Sequence, residues 1–232
     1  MDWFKRKNKQ YFSYDHDIHS HILPGLDDGV KRVEDSVVIV KKMLELGVKQ
    51  FSFTPHISFP SPMNTPEIIL EKLNELKERL LKEKIEIEAD AGAEYKIGEY
   101  MIDLIRQGNI ASFHGGKVLV EHSFVAPSPV FEEVIFRLQD KGYTPVLAHP
   151  ERYPFYAKHL TERVWELKRR GCRIQVNLLS FVGFYGKEAM AGARELLVAR
   201  LIDYFSGDIH SVKQVELLEK FLKSKESEKL LV

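Results

Sequence analysis

Two histidines stand two residues apart in Asp17-Ile-His-Ser-His21. A strand through this segment sends His19 and His21 to one face and Ser20 to the other. Two neutral imidazoles at a strand end that runs into the turn Gly25-Leu-Asp-Asp-Gly29 can grip a metal ion, with Asp28 as a further donor. The same chemistry recurs along the chain. His56 closes Phe53-Thr-Pro-His, Glu94 closes Ala91-Gly-Ala-Glu, and Glu121 closes Val118-Leu-Val-Glu. His149 opens His149-Pro-Glu-Arg-Tyr153, and Asp208 and His210 stand in Gly207-Asp-Ile-His.

Each of these residues alone is more simply a hydrogen-bonded structural side chain. Their recurrence at one strand end after another carries the metal reading. So many donors exceed what one tetrahedral or octahedral ion needs and imply two or three divalent ions. Imidazole and carboxylate without thiolate suit Mn first, then Fe or Zn. Glu94 and Asp208 are expected to bridge ions, since a carboxylate has two oxygens. Ions about 3.5–4 Å apart can activate a water and clamp the attacking and leaving oxygens of an in-line displacement. Asp17 shares the face of His19 and is expected to orient a ligating imidazole. His16 and His122 fall out of phase with the donors, and His114 and His159 sit in loop or helix-start contexts where solvation is the ordinary state.

Positioning such donors requires a repeating frame, and the chain has one. Strand-like runs at 15–22, 48–56, 86–95, 117–124, 144–149, 173–180 and 202–210 alternate with helical patterns at 33–46, 66–83, 98–107, 129–142, 160–170, 186–199 and 211–224. Val37, Val40, Met43 and Leu44 form one apolar stripe, and Ile69, Leu73, Leu76 and Leu80 form another. Strands alternating with helices imply parallel pairing through right-handed crossovers, hence an α/β fold. Seven such units suit a barrel better than an open sheet. In a parallel barrel all C-terminal strand ends open on one face, so donors far apart in sequence would converge there.

The 232 residues suffice for one sizeable core, and we expect one barrel over 15–232 after a basic tail over 1–14. Lys plus Arg and Asp plus Glu are both 34, so no global field favours nucleic acid or an anionic membrane. No run approaches the roughly 20 apolar residues of a membrane span, and the start lacks the apolar core of a signal peptide. A soluble, cytoplasmic protein is expected. The single cysteine, Cys172, excludes an internal disulfide. A cysteine-dependent phosphatase would need an arginine six residues downstream, where Leu178 stands, so Cys172 is read as a small buried hydrophobe.

The segments Asp17-Ile-His-Ser-His-Ile-Leu-Pro-Gly-Leu-Asp-Asp-Gly29, Thr54-Pro-His56, Gly92-Ala-Glu94, Glu121, His149-Pro-Glu-Arg-Tyr153 and Ser206-Gly-Asp-Ile-His210 span nearly the whole chain in order. In them the sequence resembles the PHP (polymerase and histidinol phosphatase) superfamily, and more closely the bacterial tyrosine-protein phosphatases of capsule and exopolysaccharide loci. That resemblance implies a distorted (β/α)7 TIM-like barrel, a trinuclear metal centre, and hydrolysis of phosphotyrosine on a tyrosine kinase of polysaccharide export. It implies His19, His21, Asp28, His56, Glu94, Glu121, His149, Asp208 and His210 as ligands. Arg152 matches a family arginine, and Lys31 a basic residue after the Asp-Asp-Gly turn; both are expected to steady phosphoryl oxygens. The mundane reading of Arg152 is an ion pair with Glu151.

The chain departs from the resemblance after His210, where Ser-Val-Lys-Gln replaces a longer segment in which relatives can carry another phosphate-binding arginine. The loops Ile57–Met63 and Phe181–Tyr185 offer either an aromatic lip for a phosphotyrosyl ring or plain packing on the rim. Two other functions stay open at this point. One is a phosphatase of a small phosphomonoester such as histidinol phosphate. The other is a catalytically idle metal-binding module that docks on a kinase.

Overall fold

The structure, a computed structural model, describes residues 14–231. The tail expected over 1–14 lies outside them except for Tyr14, which belongs to the barrel: it is buried and its hydroxyl donates to Asp17.

The strands are β1 (His16–Asp17), β2 (Gln50–Phe53), β3 (His56–Ile57), β4 (Glu88–Ala91), β5 (Glu94–Lys96), β6 (Lys117–Glu121), β7 (Thr144–Leu147), β8 (Arg173–Asn177) and β9 (Tyr204–Ser206). They make seven passes rather than nine. Pro55 interrupts the second pass between β2 and β3, because it has no N–H to continue a ladder, and Gly92-Ala93 interrupts the third between β4 and β5. All pairing between these strands is parallel: β1 on β2, β2 on β4, β3 on β5, and then β5 through β9 in chain order. A parallel bridge from Ser20 to Ile209 joins first pass to last, supported by Asp208 N–H to His19 O and His21 N–H to Ile209 O, both 2.9 Å. The ring thereby closes as the expected distorted (β/α)7 barrel.

The helices α1 (Val33–Glu45), α2 (Pro66–Lys82), α3 (Glu99–Gln107), α4 (Phe131–Asp140), α5 (Leu160–Arg169), α6 (Lys187–Val198) and α7 (Val212–Leu222) fall where the apolar stripes require. Pro66 opens α2 with Thr65 capping it, and Ser211 caps α7. A short last helix, α8 (Lys225–Leu230), lies beyond the expected elements. The principal core fills the space between strands and helices, with Val118 and Val120 of β6 and Ile174 and Val176 of β8 facing it. A smaller cluster of Ile18, Phe113, Leu119, Val146 and Ala148 contains no helix residue and plugs the barrel interior. Residues on the plug's face of β6 and β8 are therefore aimed inward. Those residues are Leu119 and Glu121, then Gln175 and Asn177.

Candidate metal centre

Above the apolar plug, the strand ends bring all nine expected donors to one mouth, in overlapping groups. His19 Nε2 and His21 Nε2 approach to 3.1 Å. Glu94 Oε2 lies 3.2 Å from each, and Asp208 Oδ1 3.4 Å from each. His149 Nε2 meets Glu94 Oε1 at 3.0 Å, and His56 Nδ1 lies 3.2 Å from Glu94 Oε2 and 3.5 Å from Glu121 Oε1. His56 and His210 each point Nε2 at Asp28 Oδ1 from 3.6 Å. Asp28 is the outermost donor, its side chain 71% exposed; the other donors are buried or mostly so.

Backbone geometry sets these positions. His149 (φ 35°) and Asp208 (φ 49°) leave their strands in the left-handed region, a conformation non-glycine residues adopt mainly where the surroundings enforce it. The turn carrying Asp28 folds tightly onto the first pass. Val30 N–H donates to His21 O at 3.0 Å, and a Cβ at position 29 would sit 2.0 Å from that same carbonyl oxygen. Only glycine fits at 29.

The chemistry of the donor set fits divalent cations. His21 Nδ1 lies 2.8 Å from Asp27 Oδ2, an acceptor only, so Nδ1 carries the hydrogen and the Nε2 lone pair faces the mouth. His19 Nδ1 is likewise engaged, by Gln175 Oε1 at 3.0 Å. Two imidazole lone pairs and two carboxylate oxygens then point into one small volume, an arrangement that repels unless a cation lies among them. His56 Nδ1, which faces Glu94 and Glu121, is buried without a hydrogen-bond partner, as a further donor to an ion would be.

The titration behaviour reports the same crowding. Burial disfavours a charged His19, yet Glu94 and Asp208 outweigh it and raise the group to about 9. Burial also opposes a charged His21, which Asp27 and Glu94 raise nonetheless. Burial and the neighbouring His21 keep His56 and His210 below their ordinary value, and burial with Arg152 puts His149 at about 4. Burial works against ionised Glu94 and Asp208, but the facing histidines hold both well below the usual carboxylate range. Burial, then Glu94, pushes Glu121 up.

Three expectations change. Of the two carboxylates expected to bridge, only Glu94 keeps both oxygens among the donors. Asp208 Oδ2 is filled by Arg152 Nη1 at 2.8 Å, Asn177 Nδ2 at 2.7 Å and the Tyr185 hydroxyl at 3.1 Å. Asp17 does not orient an imidazole ring. Its oxygens accept from the His19 and Gly207 backbone N–H groups and from Tyr14, so it ties first pass to last. Lys31 is exposed, and its ammonium donates to the Asp27 carbonyl rather than lining the mouth.

A cavity of about 330 Å³ opens over the donors, its wall completed by Phe124, Arg152, Tyr185 and Gln214. The Arg152 guanidinium lies 4.0 Å from the Tyr185 ring centroid and 4.7 Å from that of Phe124. Glu151 does not take it as an ion-pair partner. That carboxylate is buried and accepts from Asn177 N–H and the Ser180 hydroxyl. Of the two loops offered as a lip, Tyr185 reaches the cavity, Phe181 is in the core, and Phe59 is exposed. Cys172 is buried, its thiol pushed up to about 12 by burial, and takes no part.

Sequence reasoning missed Asp27, Gln175, Asn177, Phe124 and Gln214. Asp27 had a signal, since it adjoins Asp28 and two successive turn carboxylates cannot both face the same donors. Gln175 and Asn177 had one too: two amides alternate with Ile174 and Val176 on a barrel strand. His16, His114, His122 and His159 stay outside the cluster. His122, for example, faces Tyr156 OH at 3.1 Å and accepts from Ser128 N–H at 3.2 Å.

Comparison with known proteins agrees with this geometry. A sequence profile for the family described as "Capsular polysaccharide synthesis, CpsB/CapC" matches residues 15–219. Tyrosine-protein phosphatase YwqE of Bacillus subtilis is 32% identical over 198 residues, covering 85% of this chain and 78% of the relative. Tyrosine-protein phosphatase CpsB of Streptococcus agalactiae is 28% identical over 203 residues, covering 84% and 83%. A crystal structure from work on YwqE of Bacillus subtilis and CpsB of Streptococcus pneumoniae, described as metal-dependent tyrosine phosphatases, superimposes with a TM-score of 0.78 at 30% identity. It covers 93% of this chain and 91% of that one. Histidinol phosphate phosphatase of Lactococcus lactis shares the fold, with a TM-score of 0.55 at 16% identity over 90% and 94%.

Proposed function

This chain belongs to the CpsB/CapC family of capsular polysaccharide synthesis, and from that premise we propose that it is a metal-dependent protein-tyrosine phosphatase. Its substrate is a phosphotyrosine-bearing protein, with a bacterial tyrosine kinase of polysaccharide export as the partner, and it works in the cytoplasm. The single observation that carries the reading is the meeting of His19 Nε2 and His21 Nε2 at 3.1 Å, with Glu94 Oε2 3.2 Å and Asp208 Oδ1 3.4 Å from each, beneath an open cavity.

His19, His21, Asp28, His56, Glu94, Glu121, His149, Asp208 and His210 would hold two or three divalent ions, with Mn first and Fe or Zn next. Such ions supply Lewis acidity and lower the pKa of a coordinated water. The chain's own residues do the rest. Asp27 fixes the His21 tautomer, so that its Nε2 faces the mouth. Arg152, stacked between Phe124 and Tyr185 and anchored on Asp208, presents a planar cation to phosphoryl oxygens that gain charge in the transition state. Lys31 is at most a peripheral aid, given its bond to the Asp27 carbonyl. A tyrosinate leaves with a pKa of about 10, so little general acid is needed and no protein nucleophile is required. Among the described residues no helix is long and apolar enough to cross a membrane.

The test compares a phosphotyrosyl peptide with histidinol phosphate as substrates for the Mn2+-loaded protein, with and without a chelator. The proposal expects chelator-sensitive hydrolysis of the peptide in preference to histidinol phosphate. Turnover of histidinol phosphate alone would assign the site to small metabolites, and turnover of neither by metal-loaded protein would leave an idle module.

A further inference from the structure

Of the seven passes, the sixth, β8, contributes none of the nine donors. Instead β8 sends two amides into the interior, Gln175 and Asn177, both fully buried. Gln175 Oε1 receives the His149 backbone N–H at 3.2 Å and faces His19 Nδ1 at 3.0 Å. Gln175 Nε2 donates to Asn177 Oδ1 at 2.8 Å, and Asn177 Nδ2 donates to Asp208 Oδ2 at 2.7 Å. The four side chains form one unbroken chain, His19–Gln175–Asn177–Asp208.

The direction of this chain is set by one unambiguous donor. A backbone N–H can only donate, so the His149 amide fixes Oε1 as the end of Gln175 that faces it. That choice makes His19 Nδ1 the hydrogen-bearing nitrogen and leaves the Nε2 lone pair for the mouth. It also turns Gln175 Nε2 toward Asn177, which must accept through Oδ1 and donate through Nδ2. The last donor lands on Asp208 Oδ2, so that oxygen accepts, and Oδ1 stays directed at His19 and His21.

We propose that Gln175 and Asn177 are positioning residues for the metal centre: an amide relay that sets the His19 tautomer and the Asp208 carboxylate together from one backbone N–H. The inference rests on the metal-dependent reading above. It assigns the donorless strand a task that a purely apolar strand could not perform. Partners behind metal ligands of this kind are worth about 10–100-fold in metal affinity or activity.

The decisive variant is Gln175→Glu. It keeps an acceptor for both His149 N–H and His19 Nδ1 and, ionised, replaces the donor to Asn177 with a charged acceptor. The Asn177 amide must then turn over and point Oδ1 at Asp208. Asn177→Asp breaks the relay one link later, keeping the acceptor for Gln175 and losing the donor to Asp208. The measurement is calorimetric titration of chelator-stripped, folded protein with Mn2+ at fixed pH, alongside the melting temperature in chelator. We expect both variants to bind Mn2+ about 10–100-fold more weakly than the parent. A merely structural role would lower the melting temperature and leave the affinity of folded protein unchanged. Affinities within about twofold of the parent overturn the relay while leaving the phosphatase reading intact, and if one variant fails to fold the other decides. A parent chain that binds no Mn2+ overturns both.

Discussion

Along one short stretch of chain, two histidine environments answer the same residue type in opposite ways. His16, at the start of the first pass, has ordinary company: its Nε2 meets the Ser52 hydroxyl at 2.9 Å and its ring packs edge-on against His114 at 5.0 Å. Three and five residues later, His19 and His21 turn lone pairs toward each other and toward two carboxylates. Burial, then His114, lowers His16 to about 4, whereas His19 rises to about 9 against burial. What marks the site is therefore not histidine, and not burial. It is a set of imidazole and carboxylate atoms, contributed by six strand ends and one turn, that converge on one mouth.

The strongest way to break this contrast is to remove its hub. Glu94 meets four of the histidines, with Oε2 3.2 Å from His19, His21 and His56 and Oε1 3.0 Å from His149, so Glu94→Gln should cost at least about 100-fold in phosphotyrosyl-peptide hydrolysis and lower the number of Mn2+ ions bound. Elemental analysis with steady-state kinetics reads both.

Arg152→Lys comes next. It retains the charge but loses the planar fork and its stacking on Phe124 and Tyr185, and kcat/KM should fall about 100-fold with metal content unchanged. An unchanged kcat/KM would return Arg152 to a structural role.

The third prediction separates proton from metal. His19 is raised above its unfolded value, so its contribution to stability is complete below about pH 6.5 and is lost as pH rises through about 9. His21, raised too, acts in the same sense. Chelated protein should accordingly lose on the order of 3 kcal/mol between pH 6.5 and 9. Mn2+ should restore more stability at pH 9 than at 6.5, since ion and proton compete for the same lone pairs. Melting curves at several pH values, with and without Mn2+, test the sign.

The smallest effect belongs to the comparison residue. His16→Asn should cost about 1 kcal/mol, the worth of one hydrogen bond, and change Mn2+ binding less than about twofold. Loss of metal binding there would show that the two histidine environments are not separate.

Much of this was legible in the sequence because the signals are local. Apolar stripes placed α1 through α7, and period-two alternation correctly sent Glu121 inward and His122 away from it. What escaped depends on contacts across the barrel. Nothing near Asp17 in sequence reveals that one of its partners is the Gly207 N–H group. Asp208 offers two oxygens on paper, and only folding brings Arg152, Asn177 and Tyr185 to occupy one of them. Phe124 was hidden for a similar reason: an aromatic in a loop reads as packing until the guanidinium it covers is in place.

The central claim is that the acceptors at the mouth exist to hold divalent ions that drive phosphotyrosine hydrolysis. The most direct test is to strip the protein with chelator, add back Mn2+ in steps, and follow bound metal and phosphotyrosyl-peptide turnover in the same samples. The account predicts two or three ions per chain, with turnover absent in the stripped protein and rising as they bind. Turnover by the stripped protein at the level of the loaded one, or a chain that binds no Mn2+ at all, would contradict it.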